Sequence, residues 1–378
     1  MSQPNSSLPQ PFNPPSRLLM GPGPSDVHPR VLAAMARPTV GHLDPSFVGL
    51  MDELKLLLRQ VLRTDNALTI PVSGPGSVGM EACFVNLVEP GDKVIICENG
   101  VFGGRMKSVT ERIGGQVVSV QQEWGRAVDP AAVEAALDAN PDAKVLAFVH
   151  AETSTGALSD AQALCALAQA RGVLTIVDAV TSVGGVPLEV DAWGIDALYS
   201  GSQKCLSCPP GLSPVTMSER AVAAIQARKA PVSSWFLDMG QVLSYWSGEG
   251  KRAYHHTAPV NALYGLHEAL LIVLEEGLEA TWARHRAAHE QLVSGLGEMG
   301  LDLLVPEAER IPELNAVKIP EGADDAAIRG ALLNTHGIEI GAGLGPMAGK
   351  VWRIGLMGQS ARADKVARVL AALKTELS

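Results

Sequence analysis

The sequence predicts an α/β fold with a mainly parallel central sheet, helices on both of its faces, and a smaller C-terminal α+β domain. Three observations support this prediction. Short apolar stretches alternate with helix-like segments between residues 67 and 178, which is typical of a parallel sheet with helical crossovers. Several of these stretches end in a polar residue, where such sheets bind ligands. After Lys204 the pattern becomes mainly helical, with only short strands.

The length of 378 residues suggests two domains. Residues 1–16 are rich in Pro, Ser and Asn and carry no charge, so we predict a disordered N-terminal lead. We place a large domain at residues 17–277 and a small one at residues 278–378. Residues 18–24 (LLMGPGP) are expected to form a rigid entry segment that is neither strand nor helix.

Individual elements follow from the spacing of apolar residues. In residues 46–62, for example, Phe47, Leu50 and Leu54 recur at helical steps, and Asp129 with Pro130 marks a helix start. Strands are predicted at residues 67–72, 93–97, 116–120, 144–149, 173–177, 301–305, 316–319 and 351–354. Helices are predicted at residues 46–62, 76–88, 102–113, 130–139, 159–171, 256–276, 281–299, 325–336 and 361–377.

Composition narrows the class of protein. The net charge is −10 and no basic run occurs, which argues against a nucleic-acid or anionic-membrane partner. No apolar run approaches the length of about 18 residues that a membrane span needs. The five cysteines are scattered through apolar segments, as expected of reduced thiols in a cytoplasmic protein. Cys205 and Cys208 form a C-x-x-C, but no second pair completes a metal site, so no metal is predicted.

Two strand-end residues carry the main functional prediction. Asp178 ends the apolar run 173–177, and Lys204 lies in the turn of residues 200–204 (SGSQK), which follows the apolar run 195–199. A lone lysine is usually solvated, but a lysine placed by such a turn can form a Schiff base. A nearby carboxylate can hold a pyridinium nitrogen protonated, so that the ring acts as an electron sink. Together they indicate pyridoxal phosphate chemistry.

The run of residues 73–79 (SGPGSVG) predicts a phosphate-binding turn at a helix start. It also matches the G-x-G-x-x-G pattern of dinucleotide sites, and Glu98 ends the next strand. An NAD-dependent dehydrogenase is therefore the alternative. Pro75 argues against it because proline removes an amide from the turn, and a dehydrogenase gives Asp178 and Lys204 no role. Under the first interpretation the amides of Gly76 and Ser77 hold the phosphate.

Four segments resemble a known family: residues 200–204 (SGSQK), 209–211 (PPG), 254–257 (YHHT) and 353–355 (RIG). They are similar to the alanine–glyoxylate and serine–pyruvate aminotransferases, which are class V enzymes of the fold-type I pyridoxal phosphate group. The resemblance runs from Leu19 to the C-terminal helix. It implies a pyridoxal 5'-phosphate-binding large domain and transfer of an amino group from alanine or serine to glyoxylate or pyruvate. A class V enzyme with another donor is a further alternative.

The resemblance also implies roles for individual residues. Arg353, a strand arginine between apolar neighbours, would bind the substrate carboxylate. Tyr254 and Thr257 would complete the phosphate site of the partner subunit in a homodimer. This chain departs from the family pattern at Pro75 and Ser77. The hydroxyl contact at Pro75 is lost, whereas the Ser77 hydroxyl can still serve. The remaining cofactor contacts implied by the resemblance are stacking by Phe102, the hydroxyl of Thr153, and phosphate contacts from Ser202 and Gln203.

Overall fold

The computed structural model describes residues 9–246 and 252–378. Of the predicted disordered lead, residues 1–8 lie outside the described residues, and residues 9–16 are exposed and belong to no helix or strand. None of the helices within the described part combines the length and apolar character needed to cross a bilayer.

The described chain alternates strands and helices. The strands are β1 (Leu18–Leu19), β2 (Leu68–Ser73), β3 (Lys93–Glu98), β4 (Gln116–Gln121), β5 (Ala143–Val149), β6 (Ala151–Glu152), β7 (Ala157–Leu158), β8 (Leu174–Asp178), β9 (Ala197–Tyr199), β10 (Leu212–Met217), β11 (Leu314–Lys318), β12 (Ile338–Glu339), β13 (Gly341–Ala342) and β14 (Val351–Gly355). The helices are α1 (Pro29–Met35), α2 (Pro45–Leu62), α3 (Gly76–Leu87), α4 (Val101–Arg112), α5 (Pro130–Ala139), α6 (Ala161–Gln169), α7 (Glu219–Gln226), α8 (Met239–Trp246), α9 (Val260–Glu276), α10 (Leu278–Glu298), α11 (Asp325–Asn334) and α12 (Ala363–Glu376).

The central sheet has seven strands in the order β2-β10-β9-β8-β5-β3-β4. Only β10 runs antiparallel to its neighbours, so the predicted mainly parallel sheet flanked by helices is confirmed. The strands β5 and β8 are buried almost throughout, because helices cover the sheet. In register, Asp178 lies between Val149 of β5 and Tyr199 of β9. The carboxyl ends of these central strands therefore meet at one edge.

A second, smaller core lies in the C-terminal part. There β11, β14 and β13 form an antiparallel sheet, packed with residues of α10 and α12 such as Leu292 and Val369. The strand β1 pairs in parallel with β12, and Leu18 and Met20 belong to this second core. The prediction that residues 18–24 contain no strand is therefore wrong. The division into domains at residues 17–277 and 278–378 stays a prediction. The strand β1, from the first of these ranges, pairs with β12 from the second.

Three further predictions of elements are corrected. The strand β10 was not predicted, because it follows a Pro-Pro-Gly break and contains Pro214. This proline lies opposite Pro71, and its carbonyl accepts from the Ser200 amide on the other side, so the β2–β10 ladder needs no N–H from it. Residues 301–305 form no strand, only a single bridge between Leu303 and Val317. The helix predicted from residue 256 begins at Val260.

Candidate active site

Lys204 is held in the turn that follows β9, and its side chain is buried. Its Nζ donates to the carbonyl of Pro22, and a Cβ at Gly23 would lie 2.7 Å from that Nζ. Gly23 has φ +105°, a conformation that favours glycine. The entry segment therefore covers the lysine closely, in a place that a side chain could not occupy.

Asp178 is fixed at the end of β8 by two donors. Its Oδ1 accepts from the amide of Val180 at 2.9 Å, and its Oδ2 accepts from the Tyr199 hydroxyl at 2.8 Å. Burial raises the pKa of Asp178 to about 6, against the effect of these bonds and of the Lys204 charge. Burial also lowers the pKa of Lys204 to about 8. A carboxyl and an amine with opposite shifts in one buried site suit acid–base chemistry.

Arg353 lies on β14 with a buried guanidinium. Its Nε donates to the Ala342 carbonyl at 2.7 Å, and its Nη1 donates to the Thr153 carbonyl at 3.1 Å. Burial lowers the pKa of Arg353 to about 10, although the Glu152 carboxylate opposes this. Within residues 9–246 and 252–378 no carboxylate forms a salt bridge with Arg353. The guanidinium is therefore held by carbonyls only and can take an anionic ligand.

The predicted phosphate turn begins α3. Pro75 is the N-cap and makes no side-chain cap bond, so the amides of Gly76 and Ser77 remain available for an anion. A Cβ at Gly76 would lie 3.0 Å from Val180 Cγ2, which requires a small residue here. The Ser77 hydroxyl accepts from Arg105 Nη1 at 3.2 Å. Arg105 thereby brings positive charge beside the turn, a feature that the sequence analysis missed.

One side chain of the turn before Lys204 already makes a hydrogen bond within the chain. The Ser202 hydroxyl donates to the Pro209 carbonyl at 2.7 Å, so it already serves the turn. The Gln203 Oε1 is buried and has no hydrogen-bond partner in the described structure. A buried amide end without a partner is costly, and a ligand that bonds to it would relieve that cost.

Phe102 and Thr153 are linked through neighbouring residues, because Phe102 bonds to Glu152, the residue before Thr153. The amide of Phe102 donates to Glu152 Oε2 at 3.2 Å, and the Arg105 guanidinium lies 4.9 Å from the centre of the Phe102 ring. Thr153 is buried and accepts from Arg353 through its carbonyl. The structure therefore brings Phe102 and Thr153 into one neighbourhood with Arg353.

Tyr254 and Thr257 are not buried in this neighbourhood. The Tyr254 side chain is 62% exposed, and its hydroxyl lies 3.3 Å from the Thr257 hydroxyl. His256, between them, reaches the Ser73 hydroxyl at 3.3 Å through Nε2. The segment therefore contacts the start of the phosphate turn through His256, while its Tyr254 and Thr257 side chains are exposed to solvent.

Pyridoxal 5'-phosphate fits these residues. Asp178 offers a buried carboxyl for a ring nitrogen, Lys204 offers an amine of lowered pKa, and the uncapped start of α3 suits a phosphate. A metal centre has no such support, since no group of three His, Cys, Asp or Glu side chains in the described residues could hold an ion. Cys205 and Cys208 are buried, and burial raises the pKa of both thiols.

Comparison with known proteins gives the family. Residues 23–363 match the family described as Aminotransferase class-V. The chain belongs to the class V aminotransferases. It is 40% identical over 376 residues to the alanine–glyoxylate aminotransferase of Rattus norvegicus, covering 99% of this chain and 91% of that protein. It is 39% identical over 381 residues to the (S)-ureidoglycine–glyoxylate transaminase of Bacillus subtilis, with coverages of 96% and 91%.

Solved structures give the same answer. The alanine–glyoxylate aminotransferase of Nostoc sp. superposes with a TM-score of 0.96 at 47% identity, covering all of both chains. The pyridoxamine–pyruvate aminotransferase of Mesorhizobium loti has a TM-score of 0.91 at 30% identity, covering 97% of this chain and 93% of that one. This class V aminotransferase therefore has the fold-type I architecture and uses pyridoxal 5'-phosphate, as predicted. The dehydrogenase alternative has no support in these comparisons.

Three further residues beside the candidate site were not predicted from the sequence. Tyr199 donates to Asp178, and its position as the last residue of an apolar run gave a usable signal. Ser25 donates to the Lys204 carbonyl at 2.7 Å, a contact across 179 positions that no local pattern shows. Glu152 bonds to the amide of Phe102, and its polarity directly after a buried strand could have drawn attention.

Proposed function

We propose that this class V aminotransferase moves an amino group from a small amino acid, alanine or serine, to glyoxylate or pyruvate. The observation that carries the proposal is Arg353, a buried guanidinium that among the described residues is held only by carbonyls, in a neighbourhood shared with Lys204 and Asp178. Its fork suits the carboxylate that every amino and 2-oxo acid presents. The small donors and acceptors follow from the relatives that are named for alanine, glyoxylate and pyruvate.

Each residue of the proposed site has one task. When bound, pyridoxal phosphate supplies an aldehyde for the amino group and a ring that withdraws electrons from the substrate α-carbon. Asp178 holds the proton on the ring nitrogen. Lys204 Nζ takes the α-proton, because its pKa of about 8 leaves a fraction of the amine neutral near pH 7. Arg353 fixes the substrate carboxylate, so that the α-proton faces the lysine.

Residues from four segments are proposed to hold the cofactor. Phe102 would stack on its ring, and the Thr153 hydroxyl would contact the ring. The amides of Gly76 and Ser77 bind the phosphate. The turn of Ser202 and Gln203 would support the phosphate site through its backbone, while the unpartnered Gln203 Oε1 could accept only from a donor group.

We further propose a homodimer in which Tyr254 and Thr257 complete the phosphate site of the partner. The exposure of both side chains within one chain supports this assignment, since in the described part of the chain neither hydroxyl bonds to a buried group. A cytoplasmic location stays a prediction from composition.

The test is spectroscopic. The purified protein is loaded with pyridoxal phosphate, and alanine, serine or (S)-ureidoglycine is added without an acceptor. We expect alanine or serine to remove the visible absorption of the bound cofactor and release a 2-oxo acid, and glyoxylate or pyruvate to restore it. If only (S)-ureidoglycine causes the change, the donor assignment is wrong. If no amino donor does, the transamination itself is refuted.

A further inference from the structure

A small hairpin follows β5 and packs in a small apolar cluster with residues of the C-terminal part. Its strands β6 and β7 pair Ala151 with Leu158 and Glu152 with Ala157, and residues 153–156 form the turn. The Gly156 carbonyl accepts from the Ile311 amide at 3.0 Å, which ties the turn to the C-terminal part. We call residues 151–158 the hairpin. Its position between β5 and the C-terminal sheet allows it to contact groups from both parts.

Glu152 is fully buried in this hairpin and is used as an acceptor on both carboxylate oxygens. Its Oε1 accepts from the Ser154 amide at 2.9 Å and from the Ser154 hydroxyl at 2.6 Å. Its Oε2 accepts from the amide of Phe102 at 3.2 Å. The Ser154 hydroxyl also accepts from the amide of Val101 at 3.0 Å. The first amides of α4 are therefore bonded by the hairpin.

The helix α4 depends on this external cap because its own N-cap residue, Gly100, has no side chain to offer. A Cβ at Gly100 would lie 2.4 Å from both Glu152 Cδ and Ser154 Oγ, so the glycine makes room for the hairpin. A carboxylate at a helix N-terminus also interacts favourably with the helix dipole. These contacts account for a buried acid that otherwise would be costly.

The next residue of the hairpin holds the other half of the site. The carbonyl of Thr153 accepts from Arg353 Nη1 at 3.1 Å. Consecutive residues thus bind the backbone of Phe102 on one side and the guanidinium of Arg353 on the other. The hairpin therefore bonds both to the residue proposed to stack on the cofactor and to the residue proposed to bind the substrate carboxylate.

We propose that Glu152 is a positioning residue for transamination, which fixes Phe102 relative to Arg353 through the hairpin. The assignment of these two partners rests on the proposed function. A glutamine at position 152 has the same shape but only one acceptor oxygen. One of its ends would place an amide N–H against the N–H of Phe102 or Ser154, and the hairpin and α4 would separate.

The first test is hydrogen exchange on the cofactor-free protein, which needs no activity. In Glu152→Gln we expect the amides of residues 101–103 to exchange on the order of 10-fold faster or more, since a charge-assisted bond is lost. Ser154→Ala, a milder change that keeps the acid, should show a smaller increase at the same amides. The control is Glu89→Gln, whose carboxylate accepts from the Lys229 and Ala230 amides at 3.0 and 3.1 Å far from the site. It should leave residues 101–103 unchanged.

The second test separates positioning from stability. With saturating cofactor, Glu152→Gln should raise KM for the amino donor about 10- to 100-fold, while Glu89→Gln keeps wild-type values even where it lowers Tm. Wild-type exchange at residues 101–103 in both hairpin variants, or an unchanged donor KM in Glu152→Gln, would overturn the proposal. If the wild-type enzyme transaminates no donor, the proposed function fails, and the exchange result still decides whether Glu152 caps α4.

Discussion

The two halves of the candidate site differ in how far one chain completes them. On the strand-end side, Asp178, Lys204 and Arg353 are buried and each is held by bonds within the chain. On the side of the segment 254–257, Tyr254 and Thr257 are exposed, and among the described residues their hydroxyls contact only each other, at 3.3 Å. The groups proposed for the chemistry are thus preorganised within one chain. The Tyr254 and Thr257 hydroxyls, proposed for the partner's phosphate, need a second subunit to act.

The largest effect on activity is expected from replacing Lys204. This replacement tests whether the buried half of the candidate site, which contains Asp178, Lys204 and Arg353, carries the chemistry. Lys204→Ala should reduce transamination by on the order of 10⁴-fold or more, because the proposed proton carrier is lost. The measurement is the initial rate of 2-oxo acid release. Lys144→Ala serves as the control, since Lys144 pairs with Asp92 at 2.7 Å at the opposite edge of the sheet. Near-wild-type turnover in Lys204→Ala would contradict the assignment.

Asp178→Asn should lower the rate by about 10²- to 10⁴-fold, because a neutral amide cannot hold the proton on the ring nitrogen. Folding should persist, since the amide oxygen can still accept from Val180 or Tyr199. Asp196→Asn is the matched control. Its carboxylate likewise accepts from a backbone amide, that of Thr175 at 3.1 Å, but Asp196 directly precedes β9, at the other end of the strand from Lys204. A control loss as large as that of Asp178→Asn would show that the effect is structural.

In the cofactor-free protein, the stability of Asp178→Asn should depend on pH differently from that of the wild type. Burial raises the pKa of Asp178 from 3.8 to about 6, so between these values the unfolded chain releases a proton that the folded chain retains. Wild-type stability therefore falls as pH rises from about 4 to 6, and this contribution is absent in Asp178→Asn. The variant should gain on the order of 3 kcal/mol relative to wild type across that window, measured by urea unfolding. If the difference in unfolding free energy between the variant and the wild type does not change with pH, the pKa of Asp178 is not raised.

Much of the buried half of the candidate site could be predicted from the sequence, because the pattern that marks it lies within short stretches of the chain. Buried parallel strands are short apolar runs, and their polar ends mark the ligand edge, which located Asp178 and Lys204. Contacts between distant segments could not be predicted, such as the pairing of Leu18 with Ile338. Glu313 shows the same difficulty. Burial raises its pKa to about 8, yet between Pro312 and Leu314 nothing in the sequence marks it.

Arg353 tests whether the buried half also selects the substrate. Arg353→Lys keeps the charge but loses the fork that bonds to the Ala342 and Thr153 carbonyls. We expect KM for the amino donor to rise about 10- to 100-fold with a smaller change in kcat. Arg329→Lys, which alters a part-exposed pair with Asp325, is the control. If KM stays at its wild-type value while kcat falls, Arg353 does not bind the substrate carboxylate.

The smallest effect is expected from changes in the exposed half of the candidate site, which contains Tyr254 and Thr257. Tyr254→Phe removes one hydroxyl and should weaken cofactor binding about 2- to 12-fold, the value of one hydrogen bond, as measured by titrating the cofactor-free protein. Mixed dimers decide which subunit the hydroxyl serves. Pairing a Lys204→Ala subunit with a Tyr254→Phe subunit creates one site with both groups intact if Tyr254 reaches across, and that site should bind and turn over like wild type. If Tyr254 serves its own subunit, the site that keeps Lys204 also keeps the phenylalanine, and the weakened affinity persists in the mixed dimer.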